Sequence, residues 1–268
     1  MMKPMQTHVT FDDGAGTTLE AWGEGGPAVL CIHGITSSRK AWERTAEALR
    51  GSYRVFAYDQ RGHGDSAHVA GPMTLERSLA DLRGVANAIA QPVAVIGHSW
   101  GGTVALLGGR EPFATKVVAI DPMVRVVPRT FQQDYVDDAE ADFALPHAQR
   151  EAVVRRRLVG WHERDIAGKL HAIKEMKAES IARLGSENRV DEGRWDLRSV
   201  VAGYPKPLLI LAAAPSESVM SSEDLAFIRS QGGANVTIDT FEDQGHNLHR
   251  TAFDRYIDSV KRFLAATG

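Results

Sequence analysis

Short apolar runs alternate along the chain with longer stretches in which apolar residues recur every three or four positions. Ala28–Gly34 (AVLCIHG), Tyr53–Asp59 (YRVFAYD), Pro92–Ser99 (PVAVIGHS), Val117–Asp121 (VVAID), Pro207–Ala213 (PLLILAA) and Asn235–Phe241 (NVTIDTF) read as strands. Several are apolar almost throughout, the pattern of parallel strands covered on both faces. The spacing predicts amphipathic helices at Lys40–Arg50, Thr74–Ala90, Thr103–Arg110 and His249–Ala266. Strand–helix alternation of this kind predicts a doubly wound, mostly parallel α/β sheet. Met5–Trp22, with turn residues at Asp12-Asp13-Gly14, adds an antiparallel hairpin at one edge. The alternation stops between Val124 and Gly203, which carries no strand pattern and has helical spacing at Gln149–Trp161 and Ile166–Leu184. That stretch reads as a helical cap (124–203) inserted into a core made of residues 1–123 and 204–268; it is short for an independent domain and has no clear linker at either end.

Composition narrows the classes. Hydrophobic residues make up 43% and charged residues 24% of the 268, which is globular and not disordered. Lys plus Arg number 31 against 34 for Asp plus Glu, a net charge of −3, without the basic excess of a general nucleic-acid binder. The single cysteine, Cys31, excludes an internal disulfide framework and a four-cysteine metal site. The segment Met-Met-Lys-Pro-Met-Gln-Thr-His has no apolar core of signal-peptide length, and no apolar run reaches the ~18 residues of a membrane span. The expectation is a cytoplasmic protein with neither membrane nor nucleic acid as partner.

The candidate chemistry lies at strand ends. Gly97-His98-Ser99-Trp100-Gly101 follows an apolar strand and opens a helical stretch. A tight strand-to-helix turn holds a serine in a strained conformation above the sheet, at a helix N-terminus that favours developing negative charge, and Gly102 permits close helix packing. His33-Gly34-Ile35-Thr36-Ser37-Ser38 ends another strand, where a glycine lets the backbone turn N–H groups toward a cleft. A serine attacking a carbonyl needs two such donors, and these are assigned to the backbone of Ile35 and Trp100. Asp243-Gln244-Gly245-His246-Asn247-Leu248-His249 places His246 on a loop fit to present a general base, with Gly245 permitting the turn; His249 reads as a structural or rim residue. The loop Asp59-Gln60-Arg61-Gly62-His63-Gly64-Asp65-Ser66 concentrates charge and glycine without phosphate-loop or metal-ligand spacing, and reads as a structural loop beside the cleft.

HG-x-x-SS, D-x-RGHG-x-S, GHSWGG and GHNLH occur in the order and spacing of the α/β-hydrolase superfamily, which the chain resembles over essentially its whole length. The resemblance implies the α/β-hydrolase fold with a helical cap and no cofactor or metal. It implies a serine hydrolase for a small acyl substrate, such as a carboxylic ester, with Ser99 as nucleophile and His246 as base. The same machinery serves lactone and C–C bond hydrolases, and a receptor-like member that binds with little turnover is the alternative from another class. Members with an aspartate nucleophile at the elbow, such as epoxide hydrolases, are set aside by Ser99. The heavily charged cap argues for a small or water-soluble substrate over an interfacial lipid, with Trp161 either lining the cleft or anchoring the cap. The usual acid position after the post-cap strand departs from the superfamily pattern, since Ala212 and Pro215 stand where a glycine and an aspartate are expected. Glu217 and Asp121 are the replacements. Asp121, at a strand end between Ile120 and Pro122, is preferred because an acid must be partly buried to hold an imidazole.

Overall fold

The computed structural model describes residues 3–125, 145–188 and 195–266. Eight strands form one sheet: β1 (Met5–Thr10), β2 (Gly16–Trp22), β3 (Ala28–Ile32), β4 (Arg54–Tyr58), β5 (Val93–His98), β6 (Ala114–Ile120), β7 (Leu208–Ala213) and β8 (Val236–Phe241). Their order across the sheet is β1-β2-β4-β3-β5-β6-β7-β8. β1 and β2 pair antiparallel and β2 runs antiparallel to β4, while every pairing from β4 to β8 is parallel. The edge hairpin and the parallel core match the expectation.

Side-chain alternation explains why these strands are apolar on both faces. Leu30, Ile32, Val93, Val95, Val117, Leu208 and Ile210 point to one face. There they meet α2 (Leu75–Ile89) and α3 (Trp100–Gly108) through Leu82, Val85 and Val104. Val29, Cys31, Ile96, Val118, Ile120, Leu209 and Leu211 point to the other. That face is covered by α1 (Glu43–Leu49) and the C-terminal helix Phe253–Ala265, through Leu49, Tyr256, Ile257 and Val260. Each such aliphatic side chain contributes about 1.5–3 kcal/mol on burial, so both layers are needed to hold the sheet.

Between β6 and β7 the described residues form only helices: α4 (His147–Arg157), α5 (Glu163–Glu175), α6 (Ala178–Asn188) and α7 (Arg198–Ala202), apart from an isolated bridge between Arg125 and Asp196. Residues 126–144 and 189–194 of this stretch lie outside the described residues. The helix expected across Ile166–Leu184 is two helices, because Met176 turns extended (φ −67, ψ 140) and buries its side chain against Val154, Ile173 and Ile181. Polar contacts fix these helices to the core. Ser38 Oγ donates to Gly168 O at 3.2 Å and Arg44 pairs with Asp165 at 2.6 Å. Asn188 bonds both the N–H of Leu75 (2.7 Å) and the carbonyl of Met73 (3.0 Å) at the start of α2.

After β7, α8 (Ser222–Gln231) is closed by a capping box in which Ser221 and Asp224 each bond the other's backbone N–H. The long C-terminal helix expected from His249 is interrupted at Ala252 (φ −116), giving α9 (Leu248–Thr251) and α10 (Phe253–Ala265). No described helix is long and apolar enough to cross a membrane.

Candidate active site

Ser99 leaves β5 at its C-terminal end with φ 55 and ψ −122 and sits as the N-cap of α3. That conformation is strained for a residue with a side chain. It persists because the backbone is held on both sides: Ser99 N–H donates to Ile120 O at 2.9 Å, and Thr103 N–H donates to Ser99 O at 3.1 Å. Glycines make the turn possible by close approach. A Cβ on Gly101 would stand 2.3 Å from Ile32 O, and one on Gly97 would stand 2.1 Å from Gly101 O. α3 therefore starts at Trp100, earlier than the expected Thr103.

The loop after β3 runs beside the elbow. A Cβ on Gly34 would lie 3.0 Å from Ser99 Cβ, so the backbone leading to Ile35 passes close to the serine. His33 fixes that loop from below. Its Nδ1–H donates to Gly34 O at 2.8 Å and its Nε2 accepts the Gln60 N–H at 3.0 Å. This pairing requires one neutral tautomer, and burial pushes the imidazole pKa down to about 4, with nearby cations adding to the effect. Trp100, whose N–H begins α3, is buried.

β6 ends beside β5 at Asp121, which is fully buried with φ 40. Four donors converge on its carboxylate. Oδ1 accepts from Ala213 N–H (3.2 Å) and Ser218 Oγ–H (2.5 Å); Oδ2 accepts from Val219 N–H (3.1 Å) and His246 Nδ1–H (2.6 Å). Glu217, by contrast, is exposed on the loop after β7. Gly245 does not adopt a left-handed turn, and a Cβ there would meet only the end of the exposed Glu217 side chain, which can swing away. Ser218 and Val219, which complete the carboxylate's hydrogen bonding, carried no signal in the sequence.

His246 lies on the loop after β8. Its carbonyl accepts from His98 Nε2–H at 2.9 Å, and the His98 ring packs between His246 and His249 at centroid distances of 4.6 and 4.2 Å. Burial and neighbouring cations hold both His98 and His249 well below the usual imidazole range, so they are neutral packing groups. His249 is thus buried, not at the rim. Ser99 and His246 line one cavity of about 340 Å³, together with Ile35, Met123, Trp161 and Arg250. The DQRGHGDS loop is knitted structurally: Asp59 accepts from Arg39 N–H (2.7 Å) and from the Arg39 guanidinium, and Arg61 grips Asp81 at 3.0 and 3.1 Å. Asp59, Asp65 and His171 offer atoms within 4.8 Å of one another, but Arg39 already engages both acids.

A strained serine at a strand-to-helix turn in a mostly parallel sheet, with a strand-end carboxylate and a histidine further along the chain, has a counterpart in sequence comparison. The profile of the Alpha/beta hydrolase family matches residues 29–259. The chain belongs to that family. Among curated relatives, Lipase LipV of Mycobacterium tuberculosis is 35% identical over 136 residues, 46% of this chain and 51% of that protein. The chain thus matches about half the length of LipV. The Magnesium-chelatase 30 kDa subunit of Rhodobacter capsulatus is 26% identical over 85% of this α/β-hydrolase and 84% of its own length. Among solved structures, the enol-lactonase from Burkholderia xenovorans LB400 superposes with a TM-score of 0.75 at 18% identity, covering 97% of this chain and all (100%) of that one.

Proposed function

We propose that this α/β-hydrolase cleaves a carboxylic ester or related acyl bond of a small substrate through Ser99, His246 and Asp121. The observation that carries the reading is the 2.6 Å bond from His246 Nδ1–H to the buried Asp121 carboxylate, on an imidazole that shares a cavity wall with the strained Ser99. Asp121 holds the tautomer that leaves Nε2 free to take the Ser99 proton as the hydroxyl attacks the carbonyl carbon. The oxyanion accepts hydrogen bonds from the N–H groups of Ile35 and Trp100. His246 then gives its proton to the departing alcohol, leaving an acyl-Ser99 ester. Water, deprotonated by His246, cleaves that ester to release the acid and restore the serine. His98, bonded to the His246 carbonyl, is a positioning residue for this loop. The helices of 124–203 act as a cap, and Trp161 forms part of the cleft wall. Lactones are opened by the same steps, the alcohol remaining on the acid.

A fluorophosphonate probe should label wild-type protein and fail to label Ser99→Ala. 4-Nitrophenyl esters of increasing chain length, with a lactone series beside them, then rank the substrates. A folded wild-type protein that resists the probe and turns over no ester would refute the reading in favour of a ligand-binding member of the family.

A further inference from the structure

Arg250 is buried, 7% exposed, yet lines the cavity that holds Ser99 and His246. Among the described residues its guanidinium meets only neutral partners: Nη2 donates to Ser37 Oγ at 3.1 Å and Nη1 to Asn247 Oδ1 at 3.1 Å, while Nε has no hydrogen-bond partner. Its face lies 4.6 Å from the Trp161 ring centroid. Among the described residues no carboxylate forms an ion pair with it. Asp165 acts on it only through space, its own carboxylate being bonded to Arg44 at 2.6 Å. Burial pushes the Arg250 pKa down to about 10, which still leaves the group charged at neutral pH. Lys169 lines the same cavity, its ammonium bonded to Thr36 O (2.8 Å) and Oγ1 (2.6 Å). No Asp or Glu lines the cavity among the described residues.

A buried cation without a counter-ion is costly, and five N–H donors in a fixed fork are poorly served by two neutral acceptors. A ligand carboxylate resolves both problems at once, since a guanidinium pairs with it in a planar, charge-assisted geometry. Ile35, Met123, Leu158, Trp161 and Val219 give the cavity an apolar stretch of wall, beside the polar Thr36, Ser37 and Asn247. We infer that the substrate is an acyl compound that carries a carboxylate besides the scissile bond, joined to it by a short apolar spacer, and that Arg250 is the residue that binds this carboxylate. The inference rests on the proposed serine chemistry for its kinetic test and on the cavity alone for its binding test.

The kinetic test compares mono-4-nitrophenyl glutarate with 4-nitrophenyl valerate, which share a five-carbon acyl chain and differ in the terminal charge. Wild-type kcat/KM should favour the glutarate ester. In Arg250→Met the ratio of the two kcat/KM values should fall about 10- to 100-fold, the range of a charge-assisted hydrogen-bonded pair. Arg250 also joins Ser37 to Asn247, so any loosening of those loops slows both esters and cancels in the ratio. Arg250→Lys, which keeps the charge, should recover part of the ratio and guards against a misfolded methionine variant. Calorimetry on Ser99→Ala, with monomethyl glutarate against methyl valerate, reads binding without turnover. A preference for monomethyl glutarate that is lost in Ser99→Ala, Arg250→Met and partly kept in Ser99→Ala, Arg250→Lys would support the site even if no ester is hydrolysed; in that case only the serine chemistry falls. Equal kcat/KM values for the two esters in wild type, together with equal binding in Ser99→Ala, would overturn the inference. So would an anion preference that survives both Arg250 substitutions.

Discussion

Asp121→Asn isolates the role of charge at the acid position because it keeps the side-chain volume. The four donors around this carboxylate are Ala213 N–H and Ser218 Oγ–H on Oδ1, and Val219 N–H and His246 Nδ1–H on Oδ2. An asparagine must turn its NH2 toward one of these pairs. If it faces Ser218, that hydroxyl can rotate to accept, but Ala213 N–H loses its acceptor. If it faces His246, the imidazole must accept at Nδ1 and carry its proton on Nε2, and Val219 N–H is stranded. Either way one buried backbone N–H is left unsatisfied, at a cost of about 1–3 kcal/mol in stability. The catalytic loss is larger: the imidazolium formed during serine attack loses its anionic partner, or the base is locked in the wrong tautomer. Taking the effect of the same change in a serine-protease triad as the scale, kcat should fall roughly 10²- to 10⁴-fold. The assay is kcat on 4-nitrophenyl acetate alongside urea unfolding. Glu217→Gln, on an exposed loop, should leave kcat within about twofold and stability within about 0.5 kcal/mol. A loss of several hundredfold in the Glu217 variant alone, with Asp121→Asn keeping more than a tenth of wild-type activity, would refute the reasoning.

Ser99→Gly should abolish ester turnover yet raise stability by about 1 kcal/mol in urea unfolding, since glycine relieves the strained φ of 55; a destabilised variant would show that the backbone there is not strained. Gly101→Ala, whose Cβ would stand 2.3 Å from Ile32 O and 2.4 Å from His33 O, should cost about 3 kcal/mol or more and lower expression of folded protein, checked by thermal melting. Stability should fall steeply on acidification, because burial lowers the pKa of His33 to about 4 and of His63 to about 3 and also depresses His98 and His249. Between the unfolded value near 6.5 and those folded values the unfolded chain binds protons that the folded chain refuses, at up to about 1.4 kcal/mol per pH unit for each histidine; unfolding free energies equal at pH 7 and pH 5 would contradict this.

Strand positions were legible because the parallel strands announce themselves as apolar runs, and the elbow because its glycines are required by backbone approaches of little more than 2 Å. Helix breaks were not. Met176 and Ala252 are of good helix-forming residue types, so local spacing gives no sign of either break. The stretch from Ser221 to Gln231, with its capping box, showed no apolar stripe strong enough to mark α8 in advance. The cluster around Asp121 was half legible. A strand-end acid before proline suggested burial, but Ser218 and Val219 reach it only because β7 lies beside β6.

Histidines divide by what surrounds them, and this division is what makes the site workable. His33, His98 and His249 are buried, held neutral and spent on fixing loops and packing rings, whereas the His246 side chain keeps 26% exposure and faces the cavity. His98 donates to the carbonyl of His246, and His33 donates to the carbonyl of Gly34, just before the N–H of Ile35. Each imidazole therefore orients one loop that converges on Ser99, and charging it would cost His33 Nε2 its role as acceptor of the Gln60 N–H and leave a buried proton on His98 Nδ1 without a partner among the described residues. Acid that charges them would loosen both loops together with the fold. The geometry around Ser99 should accordingly be lost together with the fold on acidification.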